Sequence, residues 1–178
     1  KAGVSVGSLY QYFPNKAAIL FRLQSEEWRQ TAEMLQAILA DKRQTPLTRL
    51  RILVHAFVRS ECEEAVVRVA LNDAAPLYRH APESREAKAS GVRAIRSFMR
   101  ELLPNIPETT RNLSSDLVTR TLSSVAKNFS ETSHSDAEVN AYADAMADML
   151  CAYLEDLRNA GGSMIPSRAS NSRKKGGG

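Results

Sequence analysis

The spacing of apolar residues constrains this chain most: they recur at three- and four-residue steps along nearly its whole length and almost never alternate. That period lines side chains along one side of an α-helix, whereas a half-buried strand needs a period of two. The expected fold is therefore all-α, a helical bundle closed by its apolar stripes. With 178 residues, 43% of them hydrophobic, the chain can fill one core of ordinary size.

Six helices follow from the pattern. Asn15 reads as an N-cap for a helix of about 25 residues carrying Ile19, Leu20, Leu23, Met34, Leu35, Ile38 and Leu39. Thr45-Pro46 reads as cap and first helical residue of a second, with Leu47, Leu50, Leu53, Val54, Phe57 and Val58 inward and an end near Cys62. Glu64 to Ala74 is expected to form a third, and Pro76 and Pro82 to bracket a loop. Glu83 to Leu103 forms the next, closed by Pro104 and Pro107. Asn112 to Thr132 then places Leu113, Leu117, Leu122, Val125 and Phe129 along one stripe. Ser135 and Glu138 make a capping box for a final helix with Val139, Ala143, Met146, Ala147, Leu150, Tyr153 and Leu154, which Gly161-Gly162 should end as a left-handed cap. These last two helices could close the monomer's own core or supply half of a symmetric interface, and the pattern alone leaves both open. After them comes a tail with a disordered composition.

Several function classes drop out. No apolar run reaches the roughly 18 residues of a bilayer span, and there is no signal-peptide core, so a cytoplasmic protein with no membrane partner is expected. Cys62 and Cys151 lie far apart with no second Cys or His at ligand spacing, so no metal and no cofactor is expected. Gly3-Val4-Ser5-Val6-Gly7 matches the G-x-S-x-G nucleophile elbow, yet that motif needs a preceding strand and a sheet that the chain does not supply. Ser124 to Lys127 matches S-x-x-K, but inside a helical stripe with no companion motif. The chain is accordingly not expected to be an enzyme.

Charge is distributed by segment. Residues 1–25 carry +3 with no acid, residues 26–160 carry −3, and residues 161–178 carry +4. An anionic partner should therefore be met by an end of the chain rather than by its body. The first sixteen residues suit such a partner. Gly3 tolerates the tight turn between two helices, Val4 packs that turn, and Ser5 can cap a short helix from about Val6 to Phe13. Leu9 and Phe13 share its inner face, which leaves Val6, Gly7, Tyr10 and Gln11 outward. A helix of this size fits the major groove, with its N-terminal residues nearest the base edges.

The run Ala2-Gly3-Val4-Ser5-Val6-Gly7-Ser8-Leu9-Tyr10-Gln11-Tyr12-Phe13-Pro14-Asn15-Lys16, continuing to Ile19-Leu20, resembles the recognition helix and following joint of the TetR family of bacterial transcription regulators. The resemblance implies that Val6, Gly7, Tyr10 and Gln11 face the bases and that Ser8, Tyr12 and Lys16 bind phosphates, Leu9 and Phe13 being core. It implies three regions: a partial helix-turn-helix domain over residues 1–30, a ligand-binding and dimerisation domain over 31–160, and the basic tail over 161–178. The expected function is that of a ligand-responsive repressor which binds a palindromic operator as a homodimer and is released by a small, mostly apolar effector. Only Lys1-Ala2 precede the turn where the family has a first and a full second helix, so these 178 residues alone are expected not to bind operator DNA usefully. A chain naturally lacking those helices would be a ligand-binding or interaction dimer without DNA binding.

For the body, the resemblance shifts the last two helices to a dimer interface through Leu117, Leu122, Val125, Phe129, Ala143, Met146, Ala147, Leu150, Tyr153 and Leu154. The effector pocket is expected among Phe57, Val58, Val67, Leu71, Phe98 and Met99, with His55, Arg59, Asn72 and Arg96 as polar anchors.

Overall fold

The computed structural model describes residues 16–71 and 82–163. Among these residues lie five helices and no strand: α1 (Lys16–Ala40), α2 (Pro46–Leu71), α3 (Pro82–Leu102), α4 (Glu108–Phe129) and α5 (Asp136–Ser163). The all-α expectation is met. The cap at Asn15 and the tail from residue 164 fall outside the described residues.

Local chemistry sets the helix starts. Thr45 caps α2, its Oγ1 accepting the Thr48 N–H at 3.2 Å, with Pro46 in the first helical position where no N–H is needed. The capping box of α5 forms in both directions: Ser135 N–H donates to Glu138 Oε2 at 2.8 Å, and Glu138 N–H to Ser135 Oγ at 3.4 Å. Between α3 and α4, the Arg111 guanidinium reaches back to the carbonyls of Leu103 (3.2 Å) and Ile106 (3.1 Å), satisfying acceptors that the end of a helix leaves bare.

Three features differ from the sequence expectation. The break near Cys62 is absent, and α2 runs unbroken to Leu71, because Glu61-Cys62-Glu63-Glu64 contains no Gly or Pro to interrupt it. Helix α5 likewise continues through Gly161, and no described glycine has a positive φ. Gly161 is buried, and a Cβ there would overlap Cδ1 of Ile106, so what it provides is closeness to the α3–α4 turn. The stripe of α4 is rotated by one residue: its buried side chains are Ser114, Ser115, Val118, Leu122 and Ala126, while Leu113 (66% exposed) and Leu117 (47%) point outward. Ser114 is accommodated because its hydroxyl bonds Thr110 O at 2.9 Å and meets the Tyr153 hydroxyl at 3.0 Å.

Cross-helix contacts fix the directions. Thr31 bonds Glu64, Arg59 bonds Asn140, and Phe129 stacks on Tyr142 while Ser114 meets Tyr153, so α1–α2, α2–α5 and α4–α5 run antiparallel. The end holding Lys16 and the α4–α5 turn is therefore opposite the end holding the 41–45 and 103–107 turns. One continuous core joins Leu50, Leu53, Val54 and Val58 of α2 to Ile95, Phe98, Met99 and Leu102 of α3, to Val118, Leu122 and Ala126 of α4, and to Val139, Ala143, Met146, Ala147, Leu150 and Leu154 of α5.

Candidate functional site

Of the DNA-facing candidates, Val6, Gly7, Ser8, Tyr10, Gln11 and Tyr12 lie outside the described residues, and Lys16 is the first residue of α1. Helix α1 thus directly continues the segment in which the recognition helix was read. In its middle, exposed Arg29 bridges Glu26 and Glu33 at helical i,i+3 and i,i+4 spacing. The Glu26 carboxyl is lowered to about 2, chiefly by its hydrogen bond from Arg29.

The effector candidates divide. Val58, Phe98 and Met99 are brought together in the core between α2 and α3, each 2% exposed or less, and Phe57 packs half-buried against them. His55 and Arg59 face α5 instead. Arg51, His55 and Arg59 recur every four residues along α2 and meet acceptors at the same step along α5. Arg51 pairs with Asp148, His55 Nε2 lies 3.0 Å from Asp144, and Arg59 bonds Asn140 at 3.0 Å and lies 3.5 Å from Asp136. This ladder is partly exposed, so it sets register more than it stabilises. Arg96 is exposed on α3; Asn72 and the side chains of Val67 and Leu71 lie outside what is described. A cleft of about 330 Å³ does open at the opposite end, between Pro46, Glu101, Asn105 and Arg158, and none of the ten candidates lines it.

Nine of the ten dimer candidates are buried or half-buried within one protomer. Leu122, Ala143, Met146, Ala147, Leu150 and Leu154 are at most 5% exposed, Val125, Phe129 and Tyr153 pack around them, and only Leu117 is exposed. The outward face of the same two helices is apolar in a different register: Leu113 and Leu117 on α4, and Ala141, Ala145, Met149 and Ala152 on α5. Ser124 and Lys127 are exposed on α4 within an uninterrupted helix.

Sequence reading missed Arg49. This side chain is 1% exposed, donates to Leu39 O and to Glu101, and lies with its guanidinium carbon 5.6 Å from the centre of the Phe98 ring. Lys42 joins Glu101 from the other side. The signal was available, since Arg49 stands four residues before Leu53 and so on the apolar face of α2. Arg49, then Lys42, hold the Glu101 carboxyl below the usual carboxylate range. Among the described residues no group of three His, Cys, Asp or Glu side chains could hold a metal, and no helix is long and apolar enough to cross a membrane.

An all-helical body continuous with a segment that resembles a recognition helix points to a class, the one-chain helical transcription regulators. Residues 45–157 match the model described as the tetracyclin repressor-like C-terminal domain, and residues 1–23 match that of the bacterial regulatory proteins of the tetR family. The chain belongs to the TetR family and is a TetR-type transcriptional regulator. None of the curated proteins matches it. Regulators of this family, rather than enzymes, bind DNA and form dimers that respond to small-molecule effectors.

Proposed function

We propose that the regulator to which this chain belongs is a repressor that pairs through the outward faces of α4 and α5, reads a palindromic operator with Val6, Gly7, Tyr10 and Gln11 at the bases and Ser8, Tyr12 and Lys16 at phosphates, and is released by a small apolar effector. The observation that carries the dimer is the outward ridge. Leu113, Leu117 and Met149, all about half exposed or more, share one antiparallel helix pair with three exposed alanines that let a second backbone approach. Leu122, Ala143, Met146 and the other buried candidates contribute by holding that ridge flat, and half-buried Val125 and Tyr153 border it. The division at residue 30 is one of role, because α1 crosses it without a break.

The effector's apolar contacts are Phe57, Val58, Phe98 and Met99, with Val67, Leu71 and Asn72 as further contacts and Arg96, His55 and Arg59 at the margins. Val58, Phe98 and Met99 are closed in the present arrangement, so an effector binds a state in which α2 and α3 part. Only a difference in its affinity for the two states can move DNA binding. Leu117→Arg with Met149→Arg is expected to give monomers by multi-angle light scattering with the helical content retained. A dimer that persists in the double variant would remove this interface.

A further inference from the structure

Arg49 occupies an unusual place for a cation. It is the fourth residue of α2, where that helix's own dipole disfavours positive charge. It nevertheless lies inside the protein, between the C-terminal turns of two other helices: Leu39 O belongs to the last turn of α1 and Glu101 to the last turn of α3. Both of those ends are negative, and the Phe98 ring adds its electron-rich face. The fit is incomplete, because the Arg49 Nε–H is buried with no hydrogen-bond partner. A buried ion pair of this kind is weak evidence for stability, since apolar replacements of similar volume are often as stable or more so. Its effect is better sought in geometry. Two donors of one rigid guanidinium fix the end of α1 relative to α3.

That end of α1 is tied by charge, while further along the helix Thr31 bonds Glu64 of α2 and Gln36 meets Ser90 of α3. Among its described side chains Leu39 alone is buried; the others are half-buried or exposed. Lys42, in the turn after α1, ties to the same Glu101. The opposite end of α1 begins at Lys16, directly after the DNA-reading segment. At 1.5 Å per residue the lever is about 37 Å long, so a tilt of about 10° at Arg49 displaces Lys16 by roughly 6 Å. That is nearly two base-pair steps of about 3.4 Å, enough to spoil the match of paired recognition helices to half-sites.

We propose that Arg49 is a positioning residue for DNA recognition: by clamping the C-terminal turn of α1 to that of α3, it sets the angle at which α1 presents the recognition helix. The inference rests on the reading of the chain as a dimeric DNA-binding regulator, but its test does not need the dimer. In a background with Cys62→Ala and Cys151→Ala, nitroxide labels at Leu23→Cys on α1 and Ser123→Cys on α4 are diluted with unlabelled chain, so that double electron–electron resonance reads distances within one protomer. A control pair, Ser97→Cys with Ser123→Cys, reads α3 against α4. Arg49→Met is expected to widen the 23–123 distribution at least twofold and leave the 97–123 distribution unchanged. Arg49→Lys, which keeps the cation but cannot fork to both partners, is expected to give an intermediate width and serves if the Met variant does not fold. An unchanged 23–123 width in a folded variant, with or without a lower Tm, would make Arg49 merely structural and overturn the proposal. Equal widening of the control pair would overturn it as well. The undiluted 23–23 signal separately reports whether the chain pairs at all, so loss of the dimer reading is distinguishable.

Discussion

Helices α1 and α5 are both long, at 25 and 28 residues, and both lie against α2, yet they are held in different ways. Helix α5 sinks Val139, Ala143, Met146, Ala147, Leu150 and Leu154 into the core at three- and four-residue steps, whereas α1 buries only Leu39 among its described side chains. Apolar burial scales with area along a whole helix face; a charge clamp acts at one point. The difference teaches that α5 belongs to the fixed body of this regulator along its whole length, while the described side chains of α1 are tied most firmly toward the end remote from Lys16.

Truncations at equal distance along the two helices give the sharpest break. Leu154→Ala, on a side chain with no exposure, is expected to cost about 2–5 kcal/mol in urea unfolding, and Met34→Ala, 40% exposed on α1, less than about 0.5 kcal/mol. Equal losses would mean that α1 is as deeply integrated as α5. A second contrast lies at the far end of α5. Gly161→Ala gains helix propensity of about 1 kcal/mol but forces a Cβ into Ile106, an overpacking worth about 1–3 kcal/mol. In an Ile106→Val background, where Cδ1 is gone, that cost should fall by about 1 kcal/mol or more, which a double-mutant cycle measures directly. Removing the capping box with Ser135→Ala should cost about 1 kcal/mol, with the loss visible in the stability of α5 and not in the distance between α1 and α4.

The smallest effect concerns acid. Because Arg49 and Lys42 hold Glu101 below its ordinary value of 4.5 in the folded protein, its contribution is complete above that value. It is lost as pH falls through the lowered one. Urea midpoints taken at decreasing pH should drop less steeply in Glu101→Gln than in the parent chain. An identical slope would show that the clamp carries no charge-dependent term. The effect is small because Glu101 is about a third exposed and solvent screens the pair.

Much of this architecture was legible from periodicity. Thr45-Pro46 and the Ser135–Glu138 pair mark helix starts by chemistry that needs no tertiary context, and the apolar residues of α5 fall on one face at helical spacing. What periodicity left out has one cause: local rules do not see the neighbour. Leu113 and Leu117 fall on one stripe with Leu122 in the sequence, and only the fold, where Ser114 meets Tyr153, shows that Leu122 is buried while both earlier leucines lie outside. Gly161 looks like a stop signal until Ile106 is found against it. His55 and Arg59 read as polar residues among apolar ones, and their partners Asp144 and Asn140, more than eighty residues away in sequence, appear only in the fold. Arg49 was readable as a charge on an apolar face, but its meaning depends on two helix ends that only folding brings together.

Native-state hydrogen exchange, resolved along the chain, tests the contrast between α1 and α5 most directly. Amides of α5 from Val139 to Leu154 are expected to exchange only through global unfolding. Those of α1 from Arg22 to Glu33 should exchange at least a hundredfold faster, with protection rising again toward Leu39 and the Arg49 clamp. Uniform protection along α1, equal to that of α5, would contradict the account.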